Sequence, residues 1–256
     1  MTISTVISYC SNDKDFINAC ISHAKPFSKQ ISVCACTNFF DGQKEDSENL
    51  MKVVEANQPL LFTIFPFYQR FQGDRENYGQ WHNRMRAHGW QSLTEPTDWV
   101  LFLDADEIVD TDKFIHWLAN FNVNASSAYR FLGYWYFRDT CWQANQTEEV
   151  SVMTRWNKCN WNYLDCCPGE RFGLLDAQSQ RNVADILNQP MFHHYSWART
   201  KEGMLRKVKS WGHSGNKPWN ELIEKEFKRE FNETCKDFVH NYTFKKVGPF
   251  INARIT

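Results

Sequence analysis

The sequence of 256 residues lacks several features that would each indicate a particular class of protein. It contains no run of about 18 apolar residues, the length that a membrane-spanning helix needs. Its formal net charge is only -1, so it has no strong positive field to attract nucleic acid. The first ten residues contain no basic segment followed by a long apolar stretch, as a secretion signal would. We therefore expect no transmembrane segment, no nucleic-acid partner and a cytoplasmic location.

The cysteines lack the spacing of a structural zinc site. There are nine of them, an odd number, and the pairs at Cys34 and Cys36 and at Cys166 and Cys167 are too closely spaced for a zinc ribbon. Reduced thiols in a cytosolic compartment fit this pattern better than a disulfide framework.

Aromatic residues, in contrast, are abundant. They make up 16% of a chain whose hydrophobic fraction of 42% predicts a packed core. Planar side chains with a polar edge suit sugar rings and nucleobases. Four tryptophans are candidates for a sugar platform, although each also fits the core: Trp135, Trp142, Trp156 and Trp161.

Apolar runs and helix signals alternate along the first half of the chain. Strands are predicted at 5–10, 31–37, 60–65 and 99–103, and helices at about 14–24, 47–56, 77–92 and 112–120. Strands that alternate with helices indicate βαβ units and an α/β fold with a mainly parallel sheet. The second half predicts aromatic strands at 128–137 and 150–156, an irregular stretch at 157–190, and helices at 201–211 and 218–239.

One continuous sheet fits this pattern better than two separable domains. We expect a single domain over 1–256, with a nucleotide-binding half at 1–120 and an acceptor-binding half at 121–256. The charged residues of the last predicted helix indicate a solvated face with i,i+4 ion pairs.

An apolar run that leads directly into acids is the most informative motif. Five apolar residues from Trp99 to Leu103 precede Asp104, Asp106 and Glu107. Such a run predicts a strand buried on both faces, and ligands bind at the carboxyl ends of strands in open α/β sheets. Because side chains alternate, Asp104 and Asp106 should point to the same side, where they could hold Mg²⁺ or Mn²⁺ and thereby a diphosphate. A polar turn without a metal is the other interpretation.

The order of these features resembles that of the GT-A glycosyltransferases, a Rossmann-like fold, and is most similar to the large inverting group often called family two. Four segments carry the resemblance: the first strand with the turn Ser11-Asn12-Asp13, Asp41 after the second strand, the stretch 77–84 that ends at Arg84, and Asp104-Ala105-Asp106-Glu107, which matches the Asp-x-Asp signature. Met85 stands where the family has an Asn, and Phe39-Phe40 is bulky for this turn.

The resemblance implies an enzyme that moves a sugar from a nucleotide-diphosphate donor to a hydroxyl of a glycan or another acceptor, with inversion. It implies Mn²⁺ or Mg²⁺ held by Asp106, with Asp104 near the ribose or a metal-bound water. The residues implied for the nucleotide sugar are Ser8, Tyr9, Asp41, Arg84 and Asp104. The fold implied is a GT-A sheet flanked by helices, with a C-terminal extension on the acceptor side.

The base that accepts the acceptor's proton should follow the Asp-x-Asp strand. Glu170 is the first choice because the family often has a Glu in a loop at this place, and Asp165 and Asp176 are the alternatives. Each could equally be an ordinary solvated carboxylate, since only geometry identifies a base.

A second segment resembles one that some family-two-like sugar transferases carry. It is His193-His194-Tyr195-Ser196, which is followed by a basic stretch. His194 could complete the metal site or contact the diphosphate, or it could be a packed histidine. If the segment is extended, only one of His193 and His194 faces the site. Lys207, Lys209 and His213 could attract the diphosphate, although the two lysines also fit a solvated face.

Besides a glycosyltransferase-like protein that has lost activity, two other classes of protein remain open from the sequence. A nucleotidyltransferase or a phosphatase could use the same acids with Mg²⁺, but a nucleotidyltransferase of this architecture normally has a glycine-rich phosphate loop, and the segment 8–16 has no glycine. A non-catalytic sugar-binding module would also account for the many aromatic residues.

Overall fold

The computed structural model describes residues 1–58, 60–66, 78–159, 180–183, 187–210, 212–253 and 255. Ten strands are described: β1 (Ile3–Tyr9), β2 (Ser28–Cys36), β3 (Leu61–Phe65), β4 (Trp99–Asp104), β5 (Glu107–Val109), β6 (Ala128–Phe137), β7 (Trp142–Arg155), β8 (Gln180–Val183), β9 (Phe192–Trp197) and β10 (Phe244–Lys246). The described helices are α1 (Ile17–Ala24), α2 (Ser47–Ala56), α3 (Tyr78–Gln91), α4 (Thr111–Asn120), α5 (Lys201–Ser210) and α6 (Trp219–Phe227).

All ten strands belong to one hydrogen-bonded sheet. Its main order is β3-β2-β1-β4-β7-β6-β9-β5, with β10 paired to β7 and β8 paired to β6. The strands β3, β2, β1 and β4 are mutually parallel, whereas β7 runs antiparallel to β4, β6 and β10. The predicted α/β fold is therefore confirmed, with a parallel first half and a mixed second half.

The central strands are buried on both faces, as the apolar run predicts. Along β4, Leu101 and Leu103 pack into the cluster that contains α1 and α4, while Val100 and Phe102 pack into the cluster on the opposite face. This alternation follows from the two-residue period of a strand. The carboxyl end of β4 is consequently fixed in position by packing on both sides.

Local capping explains where two of the helices begin. The carboxylate of Asp46 accepts a hydrogen bond from the backbone N–H of Asn49 (3.0 Å), and Asp110 does the same for Lys113 (3.3 Å). An acidic N-cap satisfies a free N–H group and complements the helix dipole. Each helix begins immediately after its cap, close to the predicted start.

Two predicted elements have an end that differs by eight or more residues from the structure, and the stretch predicted to be irregular contains β8. β7 begins at Trp142 rather than at 150, because backbone pairing with β6 and β10 extends it through a polar segment. α6 ends at Phe227 rather than at 239. Beyond it, Asp237 accepts hydrogen bonds from three backbone N–H groups, and Phe231 and Phe238 pack into an aromatic cluster. Tertiary packing therefore outweighs the helical charge pattern.

No described helix is long and apolar enough to span a membrane.

The charged face predicted for the last helix is only partly solvated. Glu226 is 4% exposed and forms ion pairs with Arg229 (2.6 Å) and Arg138 (3.7 Å).

Helix α3 packs closely on the sheet through Gly89. A Cβ atom at Gly89 would lie 2.6 Å from Cγ1 of Val6 and 3.0 Å from Cβ of Cys34, both on buried strands. These distances are shorter than van der Waals contact, and neither neighbour has a flexible end that could move away. The glycine therefore allows α3 to approach β1 and β2.

We expect Gly89→Ala to lower the free energy of unfolding by about 1–3 kcal/mol, because overpacking outweighs the helix propensity that alanine adds. Urea unfolding measures the change. Gly248→Ala is the matched control, since a Cβ there meets nothing within 4 Å. Equal stability of the two variants would show that α3 is not held at the close distance described.

Candidate functional site

A pocket lies where β1, β2 and β4 end, at the carboxyl edge of the parallel half of the sheet. β1 and its turn contribute Ser8 and Asn12, and the end of β4 and its turn contribute Asp104 and Asp106. The opposite wall comes from β9, α5 and the following turn, with His194, Ser196, Lys207, Ser210 and His213. This is the edge at which open α/β sheets bind ligands.

An apolar wall closes the end of the pocket next to β2 and α3. Phe40 and Trp81 line it, and their rings meet edge to face with centroids 6.1 Å apart. Phe65 supports Trp81 from behind at 5.5 Å. A flat ring could pack on such a wall.

The carboxylate of Asp104 is held by one arginine. Nη2 of Arg86 lies 2.7 Å from one oxygen and 3.0 Å from the other. Arg86 is 1% exposed, while the Asp104 side chain is 25% exposed and lines the pocket. The arginine therefore fixes the orientation of Asp104 from the buried side.

Asp106 is the most buried acid of the pocket and faces three basic groups. It is 4% exposed. One oxygen lies 3.2 Å from Arg199 and 3.5 Å from Lys207, and the other lies 3.8 Å from Nε2 of His194. Burial raises the pKa of Asp106, but Lys207, His194 and Arg199 outweigh burial and the net shift is downward. The carboxylate is therefore charged at neutral pH.

Arg199 connects the end of β9 to the turn after β1. It donates to the backbone carbonyls of Ser196 (2.8 Å) and Asn12 and to the carboxylates of Asp13 and Asp106. The buried guanidinium is shared between the buried Asp106 and the half-buried Asp13. Burial and the charge of Asp106 raise the pKa of Asp13 in spite of this contact. The position of Asp106 therefore depends on Arg199.

His194 lies between two carboxylates. Nε2 faces Asp106, and Nδ1 lies 3.4 Å from Oε2 of Glu148. Burial lowers the pKa of His194, but Glu148, Asp106 and Glu107 raise it by more. The adjacent His193 packs face to face against Phe250 with ring centroids 3.8 Å apart. Only His194 lines the pocket, as the alternation along a strand predicts.

The three residues predicted to hold a metal all line the pocket, but their side chains have different partners. Asp104 has both oxygens on Arg86, whereas Asp106 and Nε2 of His194 face each other. Within the described residues, no group of three or more His, Cys, Asp and Glu side chains could hold a metal ion. An Asp and a His suit a divalent cation that takes its other ligands from phosphate and water. Asp106 and His194 fit such an ion.

Besides Nδ1 of His194, two buried polar atoms of the pocket have no hydrogen-bond partner in the described part of the chain. They are Oγ of Ser8 and Oδ1 of Asn12. The amide nitrogen of Asn12 donates to Oγ of Ser210 (2.9 Å), whereas the amide oxygen of Asn12 has no such contact among the described residues. Buried polar atoms are usually satisfied, so these two oxygens are available to a ligand or to water.

Of the three other predicted nucleotide-binding residues, one lines the pocket and two do not. Tyr9 lines the pocket, and its hydroxyl donates to Asn49. Asp41 instead accepts from the backbone N–H of Gln43 (3.0 Å) in its own turn, and neither it nor Arg84 lines the pocket. The α3 residues that do so are Trp81, His82 and Met85.

The remaining candidates divide into buried, exposed and undescribed positions. Lys207 is 12% exposed and reaches Asp106, whereas Lys209 is exposed, so the solvated face is confirmed only for Lys209. Trp135 is buried in the core, and Trp142 and Trp156 pack against core clusters. Trp161 and the three candidate bases lie outside the described residues: Glu170, Asp165 and Asp176.

Comparison with known proteins gives only distant likenesses. No family model and no curated protein matches the sequence. Residues 1–349 of TarS from S. aureus are 11% identical at a TM-score of 0.43, over 82% of this chain and 65% of that chain. A mannosyltransferase from Pyrobaculum calidifontis, in complex with GDP-Man and Mn²⁺, is 8% identical at 0.45, over 88% and 68%. A 4-diphosphocytidyl-2C-methyl-D-erythritol synthase is 10% identical at 0.43, over 74% and 91%.

We expect Arg199→Met to lower the free energy of unfolding by about 3–5 kcal/mol, because it leaves the buried carboxylate of Asp106 and the half-buried one of Asp13 without their shared partner. Chemical denaturation measures this. Lys201→Met is the control: its surface pair with Glu224 (2.7 Å) should contribute less than about 1 kcal/mol. If Arg199→Met is as mild as the control, the buried ion cluster does not hold the site together.

Proposed function

We propose that this chain is a glycosyltransferase that binds a nucleotide-diphosphate sugar in this pocket. The observation that carries the proposal is the charged, buried Asp106, which faces Lys207 and His194 at the carboxyl edge of the parallel strands. A buried acid among several basic groups in a cleft is typical of a functional site. The departing diphosphate lies beside these three side chains.

The nucleoside occupies the end of the pocket next to β2. Its base packs against the wall formed by Phe40 and Trp81, two buried apolar side chains in contact with each other. The unpartnered oxygens of Ser8 and Asn12 bind its polar groups or the adjacent phosphate. The exposed edge of Asp104 lies near the ribose, while Arg86 keeps its other side fixed.

Asp106 and His194 would hold a divalent cation, Mn²⁺ or Mg²⁺, together with the donor in this proposal. When bound, it supplies positive charge that stabilises the diphosphate as a leaving group. Lys207 adds a second positive charge from α5, where Ser196 fixes its ammonium group through two hydrogen bonds of 2.7 and 3.0 Å.

The acceptor half supplies the base that removes the proton from the attacking hydroxyl. Glu170 is the proposed base, with Asp165 and Asp176 as alternatives. Attack from the face opposite the diphosphate gives inversion, and the acceptor is a glycan or another hydroxyl compound.

The turn after β1 favours glycosyl transfer over nucleotidyl transfer. A nucleotidyltransferase of this architecture would surround phosphates with the backbone N–H groups of this turn. Here the N–H of Ser11 donates to Glu45 (3.1 Å), and the N–H of Asp13 donates to the carbonyl of Cys10 (2.9 Å). These groups are already engaged within the protein.

A non-catalytic sugar-binding module would have no need for the buried charges around Asp106.

We expect UDP or GDP with MnCl₂ to raise the melting temperature, because a ligand that binds only the folded state stabilises it. Asp106→Asn should abolish the shift, since the carboxylate holds the cation. Differential scanning fluorimetry with both nucleotides measures the effect. Asp112→Asn is the control, because Asp112 is exposed on α4. No shift for the wild-type protein with either nucleotide would contradict the proposed function.

We expect Glu170→Gln to lower the transfer rate about 100-fold or more and to leave donor affinity unchanged, because it removes a base and not a donor contact. Single-turnover kinetics with the donor found by the nucleotide screen separates the two effects. Unchanged turnover would reject Glu170 and direct the same test to Asp165 and Asp176.

A further inference from the structure

Glu148, which no sequence motif indicates, lies directly behind His194. It is on β7, and its side chain is only 15% exposed. Its Oε2 lies 3.4 Å from Nδ1 of His194, on the opposite side of the ring from Asp106. Asp106, His194 and Glu148 therefore form a row that runs from the pocket into the second half of the sheet.

The far side of Glu148 is held by the loop that precedes β10. Oε1 lies 3.2 Å from Nε2 of His240, and the hydroxyl of Tyr242 is also hydrogen-bonded to the carboxylate. Asp237 fixes this loop by accepting from the backbone N–H groups of His240 (2.6 Å) and Tyr242 (2.7 Å). The orientation of Glu148 is thus determined by groups outside the pocket.

Nδ1 of His194 is buried and has no well-aligned hydrogen bond in the described part of the chain. Oε2 of Glu148 lies 3.4 Å from Nδ1, near enough for the carboxylate to accept one. If the proton of the neutral ring is on Nδ1, the lone pair of Nε2 is directed toward Asp106 and the pocket. A carboxylate behind a metal-binding histidine fixes the tautomer and the ring in this way.

We propose that Glu148 is the positioning residue of His194: it holds the imidazole so that Nε2, with Asp106, presents one face to the divalent cation of the donor complex. This inference rests on the proposed function. It also assigns a role to the loop that precedes β10, because His240 and Tyr242 hold Glu148 in place. Residues far from the pocket in sequence would then contribute to cation affinity.

The experiment measures Mn²⁺ affinity, by electron paramagnetic resonance of free Mn²⁺, in the presence of saturating UDP or GDP. Glu148→Ala should weaken Mn²⁺ binding about 10- to 100-fold. Glu148→Gln should restore most of the affinity, because its amide oxygen can still accept from Nδ1. Glu149→Gln is the matched control: this neighbouring residue is exposed and pairs with Arg130 (3.1 Å), so Mn²⁺ affinity should stay unchanged.

Two further measurements separate positioning from simple loss of structure. Urea unfolding without ligand should show that Glu148→Ala is folded under the assay conditions. In ¹⁵N spectra of the imidazole rings, the signal missing in His194→Ala identifies His194, and Glu148→Ala should change its tautomer while Glu148→Gln retains it. The double variant Glu148→Ala/His194→Ala should bind Mn²⁺ no more weakly than His194→Ala, because the two residues act through one ligand.

The outcomes distinguish this inference from the function on which it rests. If the wild-type protein binds neither UDP nor GDP with Mn²⁺, the proposed function is wrong. If it binds them and Glu148→Ala has the same Mn²⁺ affinity and tautomer, the positioning role is wrong and the function stands. If Glu148→Gln binds Mn²⁺ as weakly as Glu148→Ala, Glu148 acts through its charge, and the positioning role is again contradicted.

Discussion

The buried carboxylate of Asp106 is the constraint around which the site is organised. An ionised acid that is 4% exposed is costly to remove from water unless positive charges surround it. Arg199, between β9 and α5, and Lys207, on α5, supply those charges, and His194 of β9 faces the other carboxylate oxygen. The same contacts that stabilise the acid also bring the second half of the chain against the carboxyl edge of the first half, so folding and assembly of the pocket are one process.

Much of the fold could be predicted because its signals are local. The apolar run before Asp104 specifies a strand buried on both faces, and its length fixes where the acids emerge. The acid-capped starts of α2 and α4 were predicted closely. The alternation of a strand predicts that only one of His193 and His194 faces the pocket, since successive side chains point to opposite faces. These features depend on spacing within a few residues.

The partners of the acids could not be predicted because they come from distant parts of the chain. Arg86 lies 18 positions from Asp104, and Arg199 lies 93 positions from Asp106. Nothing in the spacing distinguishes them from other arginines. The early start of β7 and the early end of α6 could not be predicted either, because they depend on strand pairing and aromatic packing between distant residues. Glu148 lies in the part of β7 that precedes the predicted start at residue 150, so the sequence did not place it on a strand beside His194.

The most direct measurement is anomalous diffraction from crystals soaked with MnCl₂ and the nucleotide that raises the melting temperature. The account predicts a manganese peak within bonding distance of both Asp106 and Nε2 of His194, with the diphosphate on the side of Lys207. An ordered nucleotide with no manganese beside Asp106, or manganese bound elsewhere in the chain, would contradict it.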